Sequence, residues 1–508
     1  MFVCHGRSIL YNALLLTGVN LLLRGISMLF QIYLTGQIGA AGLGLLQLVL
    51  TAGSMAMTLG LAGIRVSAMY LCAEEHGHKR PGGVKRAIGL CLGCGFCTSC
   101  IAAAALYGFS TPIAVRFIHD ARATESLRWF AVSLPLNCLL SILSGYFTAC
   151  GKIRKLVEVE VAERLLSLLT TYLLLRFWAR GDAAHACSAM ILGSTLASVC
   201  SGVWLFRLLR RDWAAMGAPA HGLKLGRRLR KLCIPLALSD ALRAGLGTLE
   251  QFLIPHGLAR WSGSTGAGMA TYGVIHGMVF PILMFPAALL YALADLLVPE
   301  LARCNAAGER IRIRHLCGKC LRMGVLFAGS VAALIFILAP ALGQLVYDSA
   351  EAGFYLRQFA PMIVFLYLDA MVDAMCKGLG QQVACVRFNT ITSLLDVVLL
   401  YVLLPRCGIR GYLVSFVVTH LINFYLSVRL LLRLTHLTPD LSFLLRTAAC
   451  VLTALGAALC VPAGFSALAY ALAATGLYLA VFLPFLQLTG ALGVQERLWL
   501  RQMLRAGR

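Results

Sequence analysis

Apolar stretches of about 20 residues recur along the whole chain from Ser8 to Leu488, separated by short polar segments. A helix needs about this length to cross a hydrocarbon core ~30 Å thick. Counting the apolar runs that are bounded by charges, Pro or Gly predicts fourteen membrane-spanning helices. They are expected at 8–34, 43–72, 86–109, 128–149, 156–178, 185–208, 232–254, 269–298, 318–343, 356–377, 388–404, 409–433, 443–462 and 464–488.

The composition supports the same fold class. Hydrophobic residues make up 60% of the 508 positions and charged residues only 13%, whereas soluble proteins carry about 25% charged residues. We therefore predict an all-α polytopic membrane protein. The net charge of +23 does not indicate nucleic acid as a partner, because the basic residues lie between the apolar runs and are typical of topology signals.

The Lys and Arg residues favour one side of the membrane. Of the 44, 31 fall on one set of alternate connections, which includes the segment 207–231 and the C-terminal tail. The positive-inside rule then predicts that both termini are cytoplasmic. We expect a multi-pass protein of the cytoplasmic membrane.

Cysteines inside the third predicted span have a regular spacing but do not indicate a cluster site. Cys91, Cys94, Cys97 and Cys100 repeat every three residues, as in some iron–sulfur proteins. On a helix, however, successive steps of three spread the side chains around the surface. We predict that they act as small residues for helix packing, and we expect no metal or cofactor.

Two halves of the chain resemble each other. Leu23 and Arg24 align with Leu242 and Arg243 at an offset of 219, and Gly151 aligns with Gly380 at an offset of 229. The repeat predicts two parallel six-helix lobes, a pattern typical of alternating-access transporters. The expected boundaries are 1–210 for the first lobe, 211–231 for a basic linker, 232–435 for the second lobe, and 436–508 for two extra helices and a basic tail.

Three of the arginines within predicted spans are candidates for a substrate site. A charge in hydrocarbon costs several kcal/mol, so it usually faces a wet cavity or a partner. Arg24 lies in the middle of the first span, Arg243 at the equivalent place in the seventh, and Arg65 lower in the second. Their guanidinium groups suit a phosphate group of a substrate. Snorkelling or a structural ion pair is the alternative, and it fits Arg65 best.

Acidic residues also occur inside spans. Glu250 lies two turns after Arg243 on one helix face and could pair with it or share its cavity. Asp369, Asp373 and Asp396 are candidates for coupling to sodium or protons, with structural pairing to Lys377 or Arg387 as the alternative. His276 is expected to form an interhelical hydrogen bond rather than to titrate. Because no nucleotide-binding loop occurs, an ion gradient, the membrane potential or substrate supply would drive transport.

Four segments resemble a known family. The chain is similar to the stage V sporulation protein B group of the polysaccharide-transporter family, in the superfamily of multidrug extruders and the lipid II flippase. The resemblance lies in GAAGLGLLQL at 39–48, LRAGLGTLEQFLIP at 242–255, the stretch 272–301, and the stretch 365–380 with its continuation to Gly411 and Tyr412.

The resemblance implies twelve core helices in two lobes, two extra helices, and movement of an undecaprenyl-linked sugar across the membrane. In sporulating members it implies a role in spore cortex synthesis, with cell-wall synthesis enzymes as candidate partners beside the membrane lipids. Arg24 and Arg243 match arginine positions of the family, and Glu250 stands where relatives usually have Asp. Gln31 stands where relatives often have a second Arg, which is a departure from the lipid II flippase pattern.

Three functions remain open on the sequence. The leading one is a flippase for a lipid-linked oligosaccharide, and a cation-coupled exporter of amphipathic drugs is the alternative with the same fold. Several arginines favour a pyrophosphate group, whereas an exporter of cationic drugs would need acidic and aromatic lining. A membrane glycosyltransferase is disfavoured, because the chain has no sizeable soluble domain and no clustered loop acids.

Overall fold

The computed structural model describes residues 3–78, 80–179, 182–216, 225–438, 440–462 and 464–490. The predicted basic tail, and residues 217–224 of the predicted linker, lie outside these ranges. The described chain is built of helices. In the first half these are α1 (Val3–Leu61), α2 (Ile64–Gly77), α3 (Pro81–Gly108), α4 (Ser110–Pro112), α5 (Ala123–Ala149), α6 (Ile153–Leu174), α7 (Ala183–Ala215) and α8 (Leu225–Ser262).

The second half continues the pattern. Its helices are α9 (Thr265–Gly273), α10 (Phe280–Met284), α11 (Ala287–Ala306), α12 (Arg310–Tyr347), α13 (Ala350–Phe359), α14 (Ile363–Gly378), α15 (Gln382–Cys407), α16 (Ile409–Thr435), α17 (Leu441–Leu459) and α18 (Ala467–Leu488). Short π-helical segments at Ile113–Ile118, Leu175–Ala179 and Val274–Val279 extend the helices next to them.

These helices confirm the predicted fold class. Among the described residues, 12 helical stretches are long and apolar enough to cross a membrane. One of them, Leu21–His76, contains the later part of the first predicted span and all of the second. The fifth predicted span is α6, which is helical but begins with several charged residues and is not among the 12.

Two helix breaks occur in the region of the first two predicted spans. Gly39 has φ 68° and ψ −179° inside α1, a conformation that glycine adopts without steric cost. It lies in the predicted turn between the spans. Ala62 and Gly63 also have positive φ, and they separate α1 from α2. Thr98 of α3 donates a hydrogen bond to the carbonyl of Gly60 at 2.7 Å, which satisfies a backbone group at the break.

The chain divides into two compact units. The first unit contains Leu14–Gly273 and Val397–Ile409. In it, α3 and α7 pack against α5, and α6 packs against α7. Its core includes the fully buried residues Leu209, Ile88, Tyr146 and Phe147. The lobe boundaries expected from the repeat remain a prediction.

The second unit contains Val274–Asp396 and the described parts of Met1–Ala13 and Arg410–Arg508. In this unit α12 packs against α13, α14, α17 and α18. Small residues such as Cys450 and Ala454 are fully buried there beside Tyr478. The two C-terminal helices therefore share a core with α12.

Candidate functional site

The long helix α1 presents Arg24 on an exposed face in the first unit. Among the described residues, no carboxylate forms an ion pair with this guanidinium. Arg24 lies in a helix that is apolar enough to span a membrane. An exposed cation at such a position normally faces water or a ligand.

A further arginine comes close to the same helix. The Nε atom of Arg164 on α6 donates a hydrogen bond to Oγ of Ser27 at 3.0 Å. Ser27 follows Arg24 by three residues, so both lie on the same face of α1. The sequence alone gives Arg164 no role, because it lies near the start of the fifth predicted span, where solvated positions are expected. Its contact with residue 27 spans 137 positions of the chain. Arg164 is itself exposed, and its side chain contacts α1 one turn after Arg24.

Arg65 lies just after the helix break, at the start of α2. It lines a cavity of about 190 Å³ together with Ser141, Ser144, Glu160 and Glu163. Glu163 accepts a hydrogen bond from Oγ of Ser198 at 2.8 Å. The structure thus places Arg65 in a polar, mixed-charge cavity within the first unit.

The seventh predicted span carries Arg243 and Glu250 on α8. The side chain of Arg243 is 72% exposed, and its NH2 atom lies 3.6 Å from Oδ1 of Asp240. Glu250 is partly buried. Next to it, Gln251 accepts a hydrogen bond of 2.7 Å from the hydroxyl of Tyr272. All four predicted substrate-binding residues, Arg24, Arg65, Arg243 and Glu250, belong to the first unit.

Asp369 in the second unit has an unusual environment. Its Oδ2 atom accepts a hydrogen bond of 2.8 Å from Asn423 on α16. Its Oδ1 atom is buried and has no hydrogen-bond partner among the described residues. A buried carboxylate oxygen without a partner is costly, and a bound cation or a proton would satisfy it. This side chain is therefore suited to ion coupling.

The other two candidate carboxylates have partners. Oδ2 of Asp373 lies 2.5 Å from Nζ of Lys377, one turn along α14. Asp396 is 6% exposed, and its Oδ1 atom accepts hydrogen bonds from Ser415 at 2.6 Å and from Thr419 at 3.3 Å. Both carboxylates therefore already have structural roles.

The histidine and cysteine residues singled out in the sequence are also placed. Nε2 of His276 lies 3.2 Å from the hydroxyl of Tyr412 on α16, which is an interhelical hydrogen bond. Cys91 is buried, whereas Cys94 and Cys97 are exposed. These thiols therefore point to different sides of α3.

Glycines allow a very close backbone approach between α1 and α9. A Cβ atom built on Gly273 would lie 1.9 Å from the carbonyl oxygen of Ala40, and one on Gly44 would lie 2.4 Å from that of Met269. Both pairs are within the first unit. This contact joins the start of the second predicted span to the start of the eighth.

Two histidine rings also contact each other within the first unit. His119, which has a positive φ of 61°, stands edge-on to His256 of α8 with ring centroids 3.9 Å apart. In the adjoining loop, Asp120 accepts hydrogen bonds from Arg122. Partial burial disfavours the charged form of Asp120, but these hydrogen bonds and the positive charge of Arg122 outweigh it and lower the pKa of the carboxyl.

Comparisons with known proteins agree with this architecture. The MatE family model matches residues 17–173. The chain is 20% identical to stage V sporulation protein B of Bacillus subtilis (strain 168) over 413 residues, which cover 80% of each chain. It is 22% identical to sporulation protein YkvU of the same organism over 275 residues, covering 53% of this chain and 61% of that protein.

Solved structures share the fold. The lipid II flippase MurJ in an inward closed conformation superposes with a TM-score of 0.69 at 13% identity, covering 93% of this chain and 99% of MurJ. The MATE multidrug transporter DinF-BH, solved with R6G, has a TM-score of 0.61 at 18% identity, with 85% and 96% covered. The chain therefore has the fold that these solved transporter structures share.

Proposed function

We propose that this protein is an alternating-access flippase that moves a lipid-linked oligosaccharide or peptidoglycan precursor, carried on undecaprenyl pyrophosphate, across the cytoplasmic membrane. The observation that carries the proposal is Arg24. It is exposed on a membrane helix, and no described carboxylate pairs with it. A guanidinium group offers a planar pair of donors that suits a pyrophosphate.

Other basic residues in the same unit support this substrate class. Arg164 is hydrogen-bonded to Ser27 beside Arg24, and Arg243 is 72% exposed. We assign Arg24, Arg164 and Arg243 to the phosphate groups. Arg65 and Glu250 contribute to the polar surroundings. The positive charge of Arg65 is balanced by Glu160, which lines the same cavity as Arg65.

The relatives support the same class of substrate. One structural neighbour is named a lipid II flippase, and two relatives in sequence are named sporulation proteins. By this similarity we propose a role in spore cortex synthesis, with cell-wall synthesis enzymes as partners. We also propose that both termini are cytoplasmic, because 31 of the 44 Lys and Arg residues fall on the set of connections that shares a side with the termini.

We propose Asp369 as the coupling carboxylate, with Asp373 and Asp396 as its structural neighbours on α14 and α15. The buried Oδ1 atom of Asp369 gives a sodium ion or a proton a ligand that has no other described partner. Coupling to the membrane potential alone is the alternative. In that case, transport would depend on the membrane potential, and removing the Asp369 carboxylate would leave this dependence unchanged.

Native mass spectrometry of the detergent-purified full chain tests the substrate class. We expect co-purified polyprenyl pyrophosphate sugars, and weaker retention of added undecaprenyl pyrophosphate after Arg24→Gln. Arg154→Gln is a matched control, because Arg154 is a highly exposed cation at the start of α6 that pairs with Glu158. Equal retention by both variants and the native protein would contradict the proposal.

A cation-coupled drug exporter is the second candidate, favoured by aromatic residues on the same helix. Tyr33 contacts Phe30 and Tyr172, with ring centroids 6.1 Å and 5.6 Å apart. Aromatic faces attract cationic drugs. Efflux of a lipophilic cation from proteoliposomes, unaffected by Arg24→Gln and lost on Tyr33→Ala, would favour the exporter.

A further inference from the structure

The second unit contains an open groove between α12, α16 and the start of α17. Its volume is about 600 Å³, within the range of ligand-binding clefts. Apolar side chains form most of its walls, including Val325, Leu368, Phe424, Val428, Leu432 and Phe443. Gly318 leaves space beside Leu437 at one wall of the groove, because a Cβ atom at residue 318 would lie 3.3 Å from the Leu437 side chain.

One end of this groove is strongly basic. Arg314, His315, Lys319 and Arg322 all line it from α12, because residues spaced by three and four positions share a helix face. Asp440 is the acidic residue among the lining side chains, and it lies 2.9 Å from Arg322. Among the described residues that line this end, three are permanent cations and one is a carboxylate.

A second apolar groove lies on the other side of the same ridge. It has a volume of about 500 Å³ and shares Phe424, Val428 and Leu432 with the first groove. Arg429 and Arg433 line it towards the end of α16. The Arg322–Asp440 pair shows that the chain leaving α16 lies beside the first turns of α12, so the cations of both grooves lie at the same end.

We propose that these paired grooves bind one anionic diacyl phospholipid. The phosphate lies among Arg314, Lys319 and Arg322, and the two acyl chains lie on either side of the ridge formed by Phe424, Val428 and Leu432. Basic side chains at the membrane surface select for anionic lipids. Two grooves with a shared ridge match two chains, whereas a polyprenyl substrate has one. The residues of this lipid site belong to the second unit, whereas the substrate-binding residues proposed above belong to the first.

Native mass spectrometry of the full chain tests this site with defined lipids. Phosphatidylglycerol and phosphatidylcholine with the same acyl chains are added in equal amounts, and retention of each is measured. We expect one tightly held phosphatidylglycerol. The double variant Arg314→Gln with Lys319→Gln leaves the Arg322–Asp440 pair intact. It is expected to weaken retention about 25-fold, from about fivefold for each charge removed.

A matched control removes two exposed cations elsewhere. Arg227 and Arg230 lie on α8, and Arg227→Gln with Arg230→Gln changes the net charge equally. This variant should retain phosphatidylglycerol like the native protein. Val428→Trp changes no charge, but the larger side chain would occupy space that the acyl chains need in the two grooves. This variant should also weaken retention of phosphatidylglycerol.

Four results would overturn the proposal. These are equal retention of the two lipids, unchanged retention in the α12 double variant, equal loss in the control variant, or unchanged retention in Val428→Trp. Undecaprenyl phosphate tests the other lipid occupant, and tighter retention of it than of phosphatidylglycerol would also refute the proposal. Inorganic phosphate at the same concentration should not displace the phospholipid, since the acyl chains contribute to its binding; displacement would mean an anion site only.

Discussion

Nε of Arg164 donates a hydrogen bond to Oγ of Ser27 at 3.0 Å, and this bond joins α6 to the helix that carries Arg24. If it positions Arg164 for the substrate phosphate, Arg164→Gln should weaken polyprenyl pyrophosphate binding about tenfold or more, the loss of one charge-assisted contact. Ser27→Ala should have a smaller effect, and none once Arg164 is replaced. A double-mutant cycle on binding affinity measures this, and additive losses would contradict it.

Arg24 is the central test of the substrate class. Replacement by Lys keeps the charge but loses the planar pair of donors, and replacement by Ala loses both. Transport in proteoliposomes should therefore decrease in the order Arg, Lys, Ala, with binding weakened roughly ten- to hundredfold in the Ala variant. Folded yield is the control. Normal yield with unchanged binding and transport in Arg24→Ala would refute the phosphate assignment.

Asp369 and Asp373 provide a matched pair of carboxylates one turn apart on α14. Asp369→Asn removes the negative charge of the carboxylate whose Oδ1 atom is buried, so transport should lose its dependence on sodium or pH. Asp373→Asn breaks only a partly exposed pair with Lys377, which typically stabilises a protein by about 0–1 kcal/mol. It should keep the ion dependence. Transport rates measured against sodium concentration and pH compare the two variants, and the same ion dependence in both would refute the assignment of Asp369.

The variant Gly273→Ala tests whether transport requires the close contact between α1 and α9. In Gly273→Ala the new methyl group would collide with the carbonyl oxygen of Ala40. Overpacking of this kind costs about 1–3 kcal/mol, so both the melting temperature and the transport rate should decrease. Gly266→Ala on the same helix is the control, because its nearest neighbour would be 3.8 Å away. If both variants behave alike, the contact has no part in the cycle.

Cysteine labelling tests the membrane topology. In a background without native cysteines, Leu223→Cys should react with an impermeant reagent only from the cytoplasm, because the segment 207–231 is strongly basic. Ser264→Cys, in an exposed turn between α8 and α9, should react from outside. Labelling of residue 223 in intact cells would reverse the topology.

Much of the helical architecture could be predicted from the sequence. Each span is a local apolar run, and the i,i+4 pairing of Asp373 with Lys377 follows from helix geometry. The break at Ala62 and Gly63 was not predicted, because the residues around it are apolar. Hydropathy does not distinguish a broken membrane helix from a continuous one.

The candidate site could be predicted only in part. Intramembrane charges identify Arg24, Arg243 and Asp369 as unusual by composition alone. The hydrogen bond that Asp369 accepts from Asn423, however, joins residues 54 positions apart. Such contacts depend on tertiary packing, which a single sequence does not contain.

The break between α1 and α2 determines where Arg65 lies, because Arg65 is the second residue of α2. Gly60 has its carbonyl bonded to Thr98, so bending at Ala62 and Gly63 need not leave that group unsatisfied. Beyond the break, α2 packs against α3 and α5, and Ile64, Ala68 and Leu71 belong to the buried core. The break therefore sets the direction in which α2 enters this core, and with it the place of Arg65 in the cavity that it lines together with Glu160.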